Sequence, residues 1–511
     1  MAPLYKEPPL AHQLRAIAKA KGKKGFMFSC EQGTGKTFIE INEIAQLWGE
    51  GKINGVIVFA PNGVHSNWVE IELPKFMPDW VRWRSRAWNS AALADEARDF
   101  ETILSATEND SSELRIMTMN WEALTAERSL GVIKQFIRGA TKLMLVGDES
   151  QAIANPTIKR CKELAKIRMQ AVVRRTMTGT PVLNAPFDLF GQYDFLDPGT
   201  ILGTTSFVAF KAEYADMIPA HHPMMKHIME KRPTANGRVP QIVMEDPITG
   251  LPSYKNLDKL ARLVEPYTFR VLKAECLDLP EKVYTQSFFE LEPGQRKAYR
   301  LMEKEFRFLV GQGPDQTAVS KLTSLGKLTQ ISSGFLIDTA EQRTQLVVDQ
   351  DDNPKLKLLR DRLRESVNEL KNKVIVFAHY IHEIEDIETL CWAEGWKPVV
   401  YRGSTTKAER TQAIADFEAG KIDVFIGQID TASTGITLVA ASHVIYYSNT
   451  FSWGDRSQSE DRAHRIGQTK TVLYEDLVGK GTRDLRIIEA LRAKKNLAEI
   501  VNGDARELLK D

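Results

Sequence analysis

The chain has 511 residues, 43% of them hydrophobic and 26% charged, with a formal net charge of +1. That length exceeds a single hydrophobic core and predicts two or three domains of ordinary globular composition. The near-zero charge gives no global argument for nucleic acid, so any such groove has to come from local placement. Cys30, Cys161, Cys276 and Cys391 are too widely spaced for a metal knuckle or a local disulfide framework. No apolar run is long enough to span a bilayer, and the first residues lack the apolar core of a secretion signal, so the expected compartment is the cytoplasm.

In chain order, residues 4–10 are Pro-rich and polar, and Gln13 lies in a helix predicted to run to about residue 21. A glutamine shortly before a phosphate loop can present its amide to an adenine edge. Phe26-Met-Phe-Ser-Cys30 reads as a buried strand, Glu31-Gln-Gly-Thr-Gly-Lys-Thr37 as a Gly-rich loop, and residues 38–47 as a helix. Strand, loop and helix in that order are the context of a phosphate-binding loop. Gly33 and Gly35 sit where the loop is tightest, and backbone N–H groups, Thr34 among them, face the phosphates. Lys36 would reach the β- and γ-phosphates, and Thr37 would hold Mg2+ through its hydroxyl. The full pattern asks for glycine where Cys30 stands. By itself the loop would serve a kinase or a transporter equally well, or be a glycine turn on a basic surface.

Residues 55–60 form the next buried strand, ended by Pro61. Loops after strand C-termini line the ligand crevice of a parallel sheet. His65, Ser66 and Asn67 are therefore candidates to touch a phosphate backbone, whereas Trp68 reads as packing. Trp80, Trp83 and Trp88 alternate with arginines and read as an amphipathic edge, aromatics inward. Residues 114–124 are a strand and a helix start. Lys142-Leu-Met-Leu-Val-Gly-Asp-Glu-Ser-Gln151 is an apolar strand ending in two carboxylates. Asp148 there can hold the Mg2+ brought by Thr37, and Glu149 can polarise the attacking water. Thr178, Gly179 and Thr180 form a polar turn after the strand near residue 175, placed to sense a γ-phosphate.

Residues 198–371 are poor in periodic strands. From residue 371 the α/β rhythm resumes, with strands near 373–380, 399–404, 423–428 and 442–448, but without a second phosphate loop. Arg462 and Arg465, three residues apart, are expected on one helix face, where they can offer positive charge to a phosphoryl group held by the first lobe.

Together, Cys30-Glu-Gln-Gly-Thr-Gly-Lys-Thr37, Asp148-Glu-Ser-Gln151, Thr178-Gly-Thr-Pro-Val-Leu-Asn184, Thr431-Ala-Ser-Thr-Gly-Ile-Thr-Leu438 and Ser459-Glu-Asp-Arg-Ala-His-Arg-Ile-Gly-Gln468 resemble the Swi/Snf DNA translocases of helicase superfamily 2, in a compact prokaryotic or tailed-phage form. The resemblance implies an α/β fold of two RecA-like parallel-sheet lobes in tandem, with helical insertions between the core motifs. Lobe 1 is expected over residues 1–290 with an insertion near 200–275. Lobe 2 is expected over 291–490 with an insertion near 291–345, and a helical tail over 491–511.

The implied function is ATP hydrolysis to ADP and phosphate, with Mg2+, driving movement on double-stranded DNA. Forked or branched DNA remains open, as do a strand-separating or annealing helicase and a nucleotide-dependent DNA-binding protein without motor activity. Carried over, Gln13 reads adenine, Asp148 and Glu149 serve metal and water, and Gln458, Arg462 and Arg465 complete the site from lobe 2. Asn62, His65, Ser66, Asn67, Thr118, Arg402, Gly403, Ser404, Ser433, Thr434 and Gly435 match segments that track the DNA backbone. A monomer in a prokaryotic or phage-infected host cytoplasm, away from membranes and without a targeting module, is the expected form. Two departures stand out: the acidic box ends in Ser-Gln rather than the family's small residue and histidine, and residues 269–273 keep part of the usual double-arginine linker.

Overall fold

The computed structural model describes residues 4–62, 64–90, 100–104, 112–219, 221–222, 242–244, 252–311, 318–338, 343–432 and 436–501. The chain divides into two units. One comprises residues 1–216, 245–278 and 496–511, the other 217–244 and 279–495.

The first unit is built on seven parallel strands: β1 (Gly25–Cys30), β2 (Gly55–Ala60), β3 (Trp83–Ala87), β4 (Leu114–Asn120), β5 (Leu143–Asp148), β6 (Ala171–Met177) and β7 (Thr268–Val271). Their order is β3-β4-β2-β5-β6-β1-β7. Side chains alternate between the faces of a strand. In β2, Ile57 and Phe59 join one core, while Val56, Val58 and Ala60 join the other. Both faces are thus covered, which explains why the central strands read as continuous apolar runs.

The second unit carries β8 (Lys282–Phe289), β11 (Lys373–Ala378), β12 (Pro398–Tyr401), β13 (Val424–Gln428), β14 (Ala441–Tyr446) and β15 (Val472–Gly479), with a separate antiparallel pair of β9 (Phe335–Asp338) and β10 (Arg343–Leu346). The six-stranded sheet is parallel in the order β12-β13-β11-β14-β15-β8. Val374 and Val376 pack on one face, Ile375 and Phe377 on the other. The two parallel-sheet lobes and their interspersed helices match the fold expected from the motifs.

Three details differ from the sequence reading. The lobe boundary expected at residue 290 falls one strand late, because β8 pairs along its length with β15 of the second sheet. The Trp/Arg edge contains the strand β3, paired with β4; it is short, polar and at the sheet margin, so no apolar run announces it. Likewise β7, taken as linking segment, adds to the sheet beside β1. Residues 223–241 and 245–251 of the insertion expected near 200–275 lie outside the described residues, as do Ser433, Thr434 and Gly435.

Candidate active site

All seven strands of the first sheet are parallel, so their C-terminal ends share one edge, where a parallel sheet binds its ligands. The phosphate loop follows β1, residues 62–68 follow β2, Asp148 and Glu149 end β5, and Thr178 follows β6. Because β6 lies between β5 and β1, the acidic pair and the loop are brought together by strand order.

Gly33 and Gly35 adopt φ of +83° and +87°, a left-handed conformation that glycine adopts without steric cost. Gly35 caps the helix α2 (Lys36–Gly49), and Lys36 folds back so that its Nζ donates to the Cys30 carbonyl at 3.0 Å. Cys30 is buried, and burial pushes its thiol up to about 12; it fills strand space and leaves the loop turn to Gly33 and Gly35. The Thr34 hydroxyl donates to Glu31 O at 2.7 Å.

Gln13, on α1 (Ala11–Ala20), lies against this loop. Its Nε2 donates to Thr34 O at 3.3 Å, and its Oε1 accepts from Leu10 N at 2.9 Å. His12 Nε2 lies 2.8 Å from the same Thr34 oxygen. A Cβ on Gly35 would come within 2.3 Å of Gln13 Nε2. The expected base-reading glutamine is therefore at the loop, with both ends of its amide engaged locally.

Asp148 is buried, and both carboxylate oxygens accept hydrogen bonds: Oδ1 from Glu149 N at 2.9 Å, Oδ2 from Trp68 Nε1 at 3.0 Å. Burial, then the neighbouring Glu149 charge, raises its pKa to about 7 despite the Trp68 bond and Lys36. A carboxylate so poorly compensated by protein favours an added cation. The oxygen donors of Asp148, Glu149 and Thr37 suit Mg2+, a hard ion that retains several waters. Among the described residues no group of three or more His, Cys, Asp or Glu could hold a metal.

Glu149 sits at φ +48°, a region where a non-glycine residue is strained and often functional. Its carboxylate is held from both sides. Gln32 Nε2 of the phosphate loop lies 3.5 Å from Oε1, and Gln151 Nε2 donates to Oε2 at 2.9 Å. Gln151 Oε1 in turn accepts from the Thr178 hydroxyl at 2.8 Å. The glutamine that departs from the family pattern thus closes a relay Gln32–Glu149–Gln151–Thr178. Gly179 belongs to the same packing: a Cβ there would stand 3.2 Å from Gln32 N and 3.4 Å from Lys36 Nζ.

The phosphate-backbone candidates separate by exposure. Asn62 is exposed, and Ser66 and Asn67 are half-buried. His65 and Thr118 are buried; Thr118 Oγ1 donates to His65 O at 2.7 Å, and His65 Nε2 lies 3.2 Å from Trp88 O. Burial holds the His65 ring pKa below its ordinary value. These two side chains tie β4 and the end of β3 to the segment after β2 inside the lobe.

In the second lobe, Arg402 N donates to Thr405 Oγ1 at 3.1 Å, and its guanidinium donates to Glu385 at 3.1 Å. Gly403 N donates to Gln428 Oε1 at 3.2 Å, and Ser404 is exposed.

The arginine pair differs from expectation. The helix α3 (Trp453–Ala463) ends before Arg465, so the two do not share a helix face. They share an acceptor: Arg462 Nη1 donates to Ile436 O at 2.9 Å and Arg465 Nη1 to the same oxygen at 3.2 Å. Arg462 is 3% exposed, and its Nε also donates to Gln458 O at 2.8 Å. Gln458 is itself buried. Arg465 is half-buried and lies past the helix end, making it the more accessible of the two.

Sequence reading missed the tryptophans on Asp148 and the buried Arg175–Glu43 pair, with contacts of 2.8 and 2.6 Å, under α2. A Trp after each of two strand ends was the available signal for the former; nothing local marked the latter.

A family model described as the SNF2-related domain matches residues 13–334, and one described as the helicase conserved C-terminal domain matches residues 354–467. Among curated relatives, YwqA of Bacillus subtilis (strain 168) is 25% identical over 93% of this chain and 46% of its own length. Zorya protein ZorD of Escherichia coli O139:H28 is 28% identical over 64% of this chain and 28% of its own. The mouse DNA annealing helicase and endonuclease ZRANB3 is 24% identical over 94% of this chain and 40% of its own. The chain spans less than half the length of these relatives. A solved Sulfolobus solfataricus SWI2/SNF2 ATPase core in complex with dsDNA aligns with 99% of this chain at 22% identity and a TM-score of 0.39, too low to argue from. The first family model alone covers more than half of the sequence, from the Gln13 helix past the phosphate loop, the acidic pair and the Thr178 turn, and on that match the chain belongs to the SNF2-related family.

Proposed function

We propose that this protein is a DNA-dependent ATPase that translocates on double-stranded DNA, hydrolysing ATP to ADP and phosphate. The observation that carries the reading is the relay holding Glu149 between Gln32 of the phosphate loop and Gln151. It gives one carboxylate a fixed aim at the loop edge, as a general base requires.

Mg2+, when bound, offsets charge on the phosphate oxygens. Lys36 and the backbone of residues 33–37 orient the phosphates. Glu149 takes a proton from the attacking water. Arg465, from the second lobe, stabilises charge on the transferred group, an effect worth ~10³–10⁵ in rate for arginine fingers. Asn62, Ser66, Asn67, Arg402, Gly403 and Ser404 contact phosphates rather than base edges, so sequence preference is weak and binding weakens with salt. A monomer acting in a prokaryotic or phage-infected cytoplasm completes the reading; no described helix is long and apolar enough to cross a membrane.

The test is ATP turnover with duplex, single-stranded, forked and RNA substrates side by side, beside triplex displacement and fork unwinding. Duplex-stimulated turnover with displacement and no unwinding supports translocation. The similarity to ZRANB3, a DNA annealing helicase and endonuclease, favours a second reading, annealing or strand separation at forks, and preferential turnover on forked DNA would select it. Nucleotide-dependent DNA binding without turnover would select a clamp. Glu149→Gln should bind ATP and lose turnover; unchanged hydrolysis in that variant rejects Glu149 as the base.

A further inference from the structure

Two indole N–H groups converge on Asp148 from the ends of two neighbouring strands. Trp68, after β2, donates from Nε1 to the Asp148 carboxylate at 3.0 Å, and Trp121, after β4, donates from Nε1 to the Asp148 main-chain oxygen at 2.9 Å. Each ring is 1% exposed. A buried indole N–H needs an acceptor, yet here both choose the same residue, one the function already uses. The fit is close: a Cβ on Gly147 would meet the Trp121 ring at 3.0 Å, and that ring stacks on Phe59 at 5.5 Å.

Trp68 lies within the helical segment that follows β2, and Trp121 opens the short helical turn directly after β4, both on the ligand edge of the sheet. Asn62, Ser66 and Asn67 precede Trp68, and Asn120 precedes Trp121. The segment after β2 is also tied to β4 by the Thr118–His65 bond, and Trp88 N donates to Thr118 O at 2.8 Å. A shift of that segment is therefore delivered to the position of Asp148, through rigid rings rather than flexible side chains.

We propose that Trp68 and Trp121 are positioning residues that couple a phosphate backbone held by Asn62, Ser66 and Asn67 to the aim of Asp148, Trp68 directly and Trp121 through the Thr118–His65 bond, and so make ATP turnover depend on duplex DNA. The inference rests on the DNA-stimulated ATPase reading above. Loss of a partner that orients a metal-binding carboxylate typically costs ~10–100-fold, and that sets the expected effect.

The experiment uses the full chain as Trp68→Phe, Trp121→Phe and the double variant. ATP turnover is measured with and without duplex DNA, DNA affinity by anisotropy, and folding by thermal melting. The indole N–H resonances of the ¹⁵N-tryptophan-labelled wild type are recorded before and after duplex, the variants assigning the two signals. Expected are a fall of about tenfold in the ratio of stimulated to basal turnover for each single variant, a double variant no worse than the weaker single, and duplex-induced shifts of both indole signals. DNA affinity should stay within about twofold, since neither ring reaches the surface. Stimulation intact in both variants, or indole signals that duplex leaves unmoved in a stimulated wild type, overturns the coupling alone. A wild type without duplex stimulation overturns the functional reading and the coupling with it. If a variant fails to melt cooperatively, the wild-type indole response decides.

Discussion

Gln151 and Thr178 are joined by a 2.8 Å hydrogen bond from the threonine hydroxyl to the glutamine Oε1. The bond fixes which end of the amide faces Glu149, so Gln151 Nε2 is the donor that holds the carboxylate at 2.9 Å. Two residues 27 positions apart in sequence thus set the orientation of one oxygen pair.

Gln151→Ala should lower kcat ~10–100-fold while nucleotide affinity stays close to wild type, because the glutamine orients Glu149 and touches no phosphate. Thr178→Val should show a smaller loss of the same kind. Steady-state kinetics together with equilibrium binding of a fluorescent ATP analogue check both. A change confined to KM would reject the orienting role.

Arg462 and Arg465 should separate stability from chemistry. Arg462→Ala removes buried bonds to Ile436 O and Gln458 O and the packing of a buried side chain, with a cost of ~1–3 kcal/mol. Arg465→Ala should melt nearly as wild type and lose DNA-stimulated turnover by ~10³. Calorimetry and turnover on both variants decide; equal melting of the two would contradict the anchoring geometry of Arg462.

Gln13→Ala should reduce discrimination between ATP and GTP, seen as a fall of about tenfold or more in the ratio of their kcat/KM values, since a polar edge contact supplies selectivity that apolar packing does not. Gly35→Ala should resemble it and add a loss of affinity, as its Cβ displaces the Gln13 amide and a left-handed φ is strained for alanine. An unchanged ATP-to-GTP ratio in Gln13→Ala would leave the residue a loop brace only.

Glu40, one turn along α2 from Lys36, is fully buried, and neither carboxylate oxygen has a hydrogen-bond partner. Burial, then Glu43, pushes its pKa well above the usual carboxylate range, with Asp148 adding to the shift and Arg175 opposing it. The folded state keeps a proton that the unfolded state releases. Its contribution to stability therefore falls as pH rises from the unfolded carboxylate pKa toward the folded one. Glu40→Met leaves the Arg175–Glu43 pair in place and removes the unpaired oxygens. It should gain ~1–3 kcal/mol over wild type near neutral pH, with the gain shrinking as pH falls toward about 4. Urea unfolding at acid and neutral pH tests the slope; a pH-independent difference would mean that Glu40 does not titrate in this range.

The fold class was legible in the sequence, and so were the candidate residues of the nucleotide site. Buried parallel strands are apolar on both faces, and phosphate loops need glycine at fixed places, so Phe26-Met-Phe-Ser-Cys30 and the turn around Gly33 and Gly35 are visible as local patterns. The sequence also supplied Asp148, Glu149 and the arginine pair as residue types suited to metal, water and phosphoryl charge. Only the tertiary structure decided which of the neighbours serve them. Strand order places β6 between β5 and β1, and that brings Thr178 to Gln151 and Gln32 to Glu149. The burial of His65, Thr118 and Arg462, and the approach of Trp68 and Trp121 to Asp148, depend on side chains meeting across strands far apart in the chain. A sequence specifies such partners through packing of the whole lobe, and no local spacing records which of several buried donors reaches a given carboxylate.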